Sequence, residues 1–75
     1  MTPKDTLDAT GLLCPLPVLK LRKRLKSLEV GDLIAMQADD PAAVIDVPHF
    51  CAEAGHDLVE AKEADGVQTY IIRKS

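Results

Sequence analysis

The chain has 75 residues, 47% of them hydrophobic, and a net charge of -3, with one Tyr, one Phe and no Trp. At this length only about 60–65% of the unfolded surface is buried on folding, so a second domain is excluded and one domain over residues 1–75 is expected. The composition gives an aliphatic core but almost no aromatic platform for stacking bases, and no apolar run nears the roughly 18 residues that span a bilayer.

The N-terminal stretch MTPKDTLDA lacks the layout of a secretion signal, which makes the cytoplasm the expected location. Cys14 and Cys51 are too few for a disulfide framework, and in a reducing compartment both are thiols. The segment Thr6–Ala9 alternates like a short strand, and TGLL leads from it towards a helix expected over Pro15–Leu28. Gly31 and Asp32 mark the stop after that helix. Leu33–Ala38 is a nearly continuous apolar run of strand length, the pattern of a central strand covered on both faces. Asp40 offers an N-cap for a second helix, with Val44, Val47, Phe50, Cys51 and Ala54 at helical spacing and Gly55 as its stop. Pro48 lies inside it and predicts a kink or a loose first turn. Two strand-like runs then flank Asp65-Gly66, a strong hairpin signal. The order β-α-β-α-β-β gives a two-layer α/β sandwich: a four-stranded mixed sheet with a parallel β-α-β start, and both helices on one face.

Residues 14–28 hold Lys20, Arg22, Lys23, Arg24 and Lys26 with no acid, whereas the other 60 residues carry four bases against twelve acids. An acidic chain with one concentrated basic surface is a poor generic nucleic-acid binder but can steer an acidic partner. At 100° per residue, Val18, Leu21, Leu25 and Leu28 share one side of the first helix, while Leu16 and Leu19 fall among the basic residues. Two leucines on a charged face are either ordinary surface residues or the apolar centre of a docking patch with a basic rim.

The stretch GLLCPLPVLK places Cys14 directly before Pro15, with Pro17 two residues on. A residue before proline is pushed out of the helical region, so Cys14 is expected as the N-cap and Pro15 as the first helical residue. The helix dipole and the free N–H groups of Leu16 and Val18 would then lower the thiol pKa, with the nearby basic residues acting in the same direction. Leu13 and Val18 have the spacing of a hydrophobic staple. Position alone is equally compatible with Cys14 as a small buried hydrophobe, whereas the helical spacing of Cys51 points to the core.

Pro17 occupies the place of a resolving thiol, which excludes a CxxC pair. Neither His49 nor His56 has an acid–base signature around it, and the cysteines and histidines lack the close pairings of a metal site, so no metal is expected. There is no phosphate loop or dinucleotide fingerprint. A single activated thiol on a small scaffold fits a carrier that holds sulfur as a transient persulfide, Cys14-S-SH, with no other cofactor.

These residues resemble the TusA/SirA-like sulfur-carrier family, and most closely its TusA branch. The resemblance rests on LDATGLLCPLPVLKLRK with its CPxP motif at Cys14-Pro15-Leu16-Pro17, on GD before the second strand, and on ADDPAAVIDVPHFCAEAGHDL, and it runs from Thr6 to Lys74. It implies a sandwich like the C-terminal domain of translation initiation factor 3, and a Cys14 that receives sulfur from an IscS-like cysteine desulfurase. It further implies transfer to a TusBCD-like relay ending in tRNA 2-thiouridine, or, in other branches, to molybdenum-cofactor assembly or sulfur oxidation. The desulfurase would meet Leu19, Arg22, Lys26 and Asp40, with Leu16 and Lys23 on the same docking face. Leu16 stands at a motif position that is often acidic in relatives. Neither stable nucleic-acid binding nor membrane attachment is expected of such a carrier, and the alternative is a non-catalytic RNA- or protein-binding module.

Overall fold

A computed structural model describes residues 2–75. Six elements follow one another: β1 (Asp5–Asp8), α1 (Leu16–Lys26), β2 (Leu33–Ala38), α2 (Ala43–Ala54), β3 (Asp57–Ala64) and β4 (Val67–Arg73). The strands form one mixed sheet in the order β1-β2-β4-β3, with β1 parallel to β2 and the other pairs antiparallel. This is the expected β-α-β-α-β-β sandwich.

The pairing Leu7↔Met36↔Tyr70 and the adjacent pair Ile34↔Ile72 put these side chains on one face of the sheet. They join Leu21 and Leu25 of α1 and Val47, Phe50 and Cys51 of α2 in a single core. Both helices therefore cover the same face. The opposite face carries Ala35 and Gln37 of β2 beside Ile71 and Thr69 of β4, and Gln37 is exposed. β2 is thus central but covered on one side only. The run stays apolar because Leu33 is buried at the strand end and Ala35 is half-buried, so Gln37 alone marks the uncovered face.

Asp65 and Gly66 both have positive φ, 53° and 80°, which is the backbone of a two-residue type I′ turn, and they join β3 to β4 as expected. β3 is an edge strand, mostly exposed, with a register shift between Leu58 and Glu60. Gly55 closes α2 in the left-handed conformation, with the N–H of His56 donating to Cys51 O at 2.9 Å.

α2 begins three residues later than Asp40. Ala42 is its N-cap, and the first turn is held by short-range bonds such as Ile45 N–H to Ala42 O before Asp46 N–H takes up the regular pattern. Pro48 lies inside the helix, after this loose first turn. The buried stripe of α2 is Ala43, Val47, Phe50 and Cys51, and Val44 and Ala54 are exposed rather than in the core. α1 likewise ends at Lys26, short of Leu28, which still packs against the core from the following turn.

Candidate functional site

Cys14 is exposed, and Cys51 is buried. Cys14 lies in the loop between β1 and α1, joined to Pro15 by a cis peptide bond. The N-cap of α1 is Pro15, not Cys14, and Pro17 is buried in the first turn. One residue of displacement changes the electrostatics. The N–H of Leu16 donates to Leu13 O at 2.9 Å, so it is not free to face the sulfur. Leu13 is 68% exposed and forms no staple over Val18.

The loop is held instead from the end of β2. Asp39 Oδ1 accepts from the N–H of Gly11 at 2.9 Å, and Asp40 Oδ2 accepts from the N–H of Cys14 at 2.6 Å. Asp40 Oδ1 also accepts from Ala42 N–H at 3.2 Å, so one carboxylate ties the Cys14 loop to the start of α2. A hydrogen bond to a charged acceptor contributes about 1.5–3 kcal/mol, enough to fix a loop of this length. Asp40 is itself held: Gln68 Nε2 donates to its carbonyl at 3.0 Å, and Tyr70 Oη donates to Gln68 Oε1 at 2.6 Å. Gln68 and Tyr70 are buried on β4, so a polar chain runs from the sheet to the backbone of Cys14. Asp40 is only 8% exposed, and its carboxylate is committed inside the chain rather than presented to a partner.

The thiol faces a small depression lined by Cys14, Pro15, Pro17, Val18, Asp40, Ala43 and Asp46. No lysine or arginine lines it. The Asp46 carboxylate, an acceptor beside the thiol, is the first cause that raises the Cys14 pKa above the ordinary thiol value, followed by partial desolvation and by the charges of Asp46 and Asp40. This is opposite to the lowered pKa expected from a helix N-terminus. The dipole of α1 is outweighed at the sulfur by two carboxylates, Asp40 from the segment after β2 and Asp46 on α2.

Around the opening, Leu16 and Leu19 are 45% and 47% exposed. With Arg22, Lys23 and Lys26, also exposed, they occupy an arc of about 120° on α1. At 1.5 Å per residue this surface runs about 15 Å from Leu16 to Lys26. Its far end opens into a groove of about 350 Å³ between the helices, lined by Arg22, Lys26, Phe50, His56 and Lys74 among others. There the Arg22 guanidinium lies 5.6 Å from the Phe50 ring centroid. Arg24 is diverted from this surface: it pairs with Asp5 at 2.9 Å on β1.

Sequence reasoning did not find Asp39, Asp46, Gln68 or Tyr70 as part of the site. Asp39 and Asp40 stand together in the quoted ADDP segment, and a pair of acids at a strand's C-terminal end was the one local signal of a loop anchor. Gln68 at a core-facing position of a strand is the other, since a buried amide requires partners.

The fold is an α/β sandwich that presents one exposed thiol on a loop anchored by two carboxylates. Residues 5–74 match the family described as Sulfurtransferase TusA, and the chain belongs to that family. Its structure is similar to that of a SirA-like protein from Desulfitobacterium hafniense, with a TM-score of 0.82 and 30% sequence identity over 92% of this chain and 95% of that one. Membership carries a role in sulfur transfer.

Proposed function

We propose that this protein accepts sulfane sulfur from a cysteine desulfurase onto Cys14, carries it as a persulfide, and hands it to an acceptor thiol. The observation that carries this reading is the exposed thiol of Cys14 on a loop latched by Asp39 and Asp40, in a family of sulfurtransferases. An exposed sulfur is needed because both donor and acceptor are proteins whose own sulfur must reach it. The latch holds the thiol at one angle, and the apolar and basic surface of Leu16, Leu19, Arg22, Lys23 and Lys26 supplies a docking face for an acidic donor. The destination we favour is a relay of the TusBCD kind ending in 2-thiouridine in tRNA, reached without stable binding of the tRNA by this chain.

The test is incubation with a cysteine desulfurase, cysteine and pyridoxal phosphate, followed by intact-mass and peptide mass spectrometry. One added, reductant-labile sulfur on Cys14 is expected, with none in Cys14→Ser and undiminished loading in Cys51→Ala. Loading that persists in Cys14→Ser refutes the assignment.

A further inference from the structure

The depression beside Cys14 contains a carboxylate that the latch does not use. Asp40 is spent on the N–H groups of Cys14 and Ala42. Asp46, half-buried on the first turns of α2, has no ion-pair partner among the described residues, and it lines the same depression as the thiol. Its backbone is fixed by the bond from its N–H to Ala42 O at 2.9 Å, and the residue after it, Val47, is fully buried, so the carboxylate is aimed by a rigid element. Apart from Cys14 and the two carboxylates, the depression is lined by Pro15, Pro17, Val18 and Ala43, which have no side-chain polar atoms to compete for it.

We propose that Asp46 is the acid–base partner of Cys14: it holds the empty carrier's sulfur as a directed thiol and takes up the thiol proton when sulfur is transferred. The inference rests on the carrier reading above and adds to it a residue on another element, 32 positions downstream in sequence.

The step balances without an oxidant. Cys14 Sγ attacks the outer sulfur of a donor persulfide, R–S–SH, while its proton passes to the Asp46 carboxylate. The Sγ–S bond forms, the donor S–S bond breaks, and R–S⁻ leaves with the bonding electron pair. Asp46 then releases the proton to the departing thiolate, giving Cys14-S-SH and R–SH. The sulfane sulfur changes owner and not oxidation level.

The arrangement also explains why an exposed thiol would be useful in a protonated form. A thiolate is the species that alkylating and oxidising agents attack, so a carrier waiting for a donor loses less of its thiol to side reactions when a carboxylate keeps it neutral. The groups facing Cys14 from the packed elements are Asp46 on α2 and Asp40 before it, with no cation among the residues lining the depression. The direction of the Cys14 pKa agrees with this geometry.

The experiment is the pH profile of Cys14 alkylation by iodoacetamide on the full chain, read by peptide mass spectrometry, in the wild type, Asp46→Asn and Asp46→Glu. The wild-type midpoint should lie above that of the same chain unfolded in urea. Asp46→Asn should move it to lower pH and speed the reaction at neutral pH several-fold, while Asp46→Glu keeps the wild-type profile. A wild-type midpoint at or below the unfolded one overturns the proposal even if the variants fail to fold. So does an Asn profile that overlays the wild type, or a Glu profile that shifts as Asn does. Alkylation needs no sulfur donor, so the two readings fail separately: lost Cys14 loading with these profiles intact sinks the carrier, and unaltered profiles with normal loading sink the role of Asp46.

Discussion

The two cysteines sit in the same small protein under opposite physical regimes. Cys14 lies on a loop at the mouth of the sandwich with its sulfur beside two carboxylates, while Cys51 is sealed on α2 at 2% exposure. Both thiols have raised pKa values, but for different reasons: the Asp46 carboxylate beside the sulfur comes first at Cys14, and burial alone pushes Cys51 up to about 11. The direction of the shift therefore does not tell the two apart. Access does, and a sulfur carrier is defined by access.

The largest expected effect breaks or sharpens that comparison directly. In the folded chain Cys14 should react with iodoacetamide at neutral pH on the order of a thousandfold faster than Cys51, because a core thiol reacts only through openings that cost several kcal/mol. Quenched-flow labelling with peptide mass spectrometry reads both rates in one sample. Comparable rates would mean that α2 opens readily and that the two environments are not distinct.

The second prediction concerns what holds the exposed site together. Asp40→Ala removes the acceptor of the Cys14 and Ala42 N–H groups, and a lost charge-assisted bond of this kind costs about 1.5–3 kcal/mol. Urea unfolding should show that loss, and sulfur loading should fall because the thiol is no longer held at one angle. Full loading in a stably folded Asp40→Ala protein would show that the latch serves stability alone.

The comparison also shows what a sequence can disclose. The buried regime was legible: Cys51 shares helical spacing with Val47 and Phe50, and Asp65-Gly66 marks its hairpin because few dipeptides accept two positive φ values. Element order and the parallel start were legible too, whereas the spatial order β1-β2-β4-β3, with β4 inserted between β2 and β3, came only from the structure. The exposed regime was legible only in part. Proline on both sides of Leu16 marks a helix start, yet whether Cys14 or Pro15 caps it depends on the loop being drawn towards Asp39 and Asp40. The sign of the pKa shift at Cys14 was read from α1 alone and is reversed by Asp46, since no local pattern reveals which side chain of α2 will face the loop. Local rules describe what a segment does to itself. The site is made where three segments meet.

A third prediction uses the sealed thiol as a probe of the core. Cys51 titrates near 9 when unfolded and about 11 when folded, so its folded pKa is the higher of the two. Below about pH 9 its contribution to stability is fully present, and as pH rises towards 11 the unfolded chain releases a proton that the folded chain retains, so stability falls. Two units correspond to about 2–3 kcal/mol across that window. Tyr70 acts in the same direction, its hydroxyl raised by burial and then by the charge of Glu63. Urea midpoints measured from pH 8 to 11 should decline, and the decline should be shallower in Cys51→Ala, which itself lowers stability at neutral pH by about 1–2 kcal/mol through lost core contacts. An unchanged slope in Cys51→Ala would assign the whole effect to other groups.

The smallest effect is expected on the basic face, because its charges are exposed and screened by salt. Arg22 and Lys26 have no carboxylate partner among the described residues, in contrast to Arg24, whose guanidinium is occupied by Asp5. Reversing both in Arg22→Glu/Lys26→Glu should therefore leave the unfolding midpoint nearly unchanged while weakening binding to an acidic desulfurase by roughly tenfold at low salt, mostly through slower association. The difference should shrink as ionic strength rises, and Arg24→Glu should do the reverse, costing fold stability more than affinity. Affinity unchanged at low salt by the double reversal would remove the charged rim from the docking face and leave Leu16 and Leu19 as its only content, since those two leucines are the exposed apolar side chains of α1 nearest the thiol.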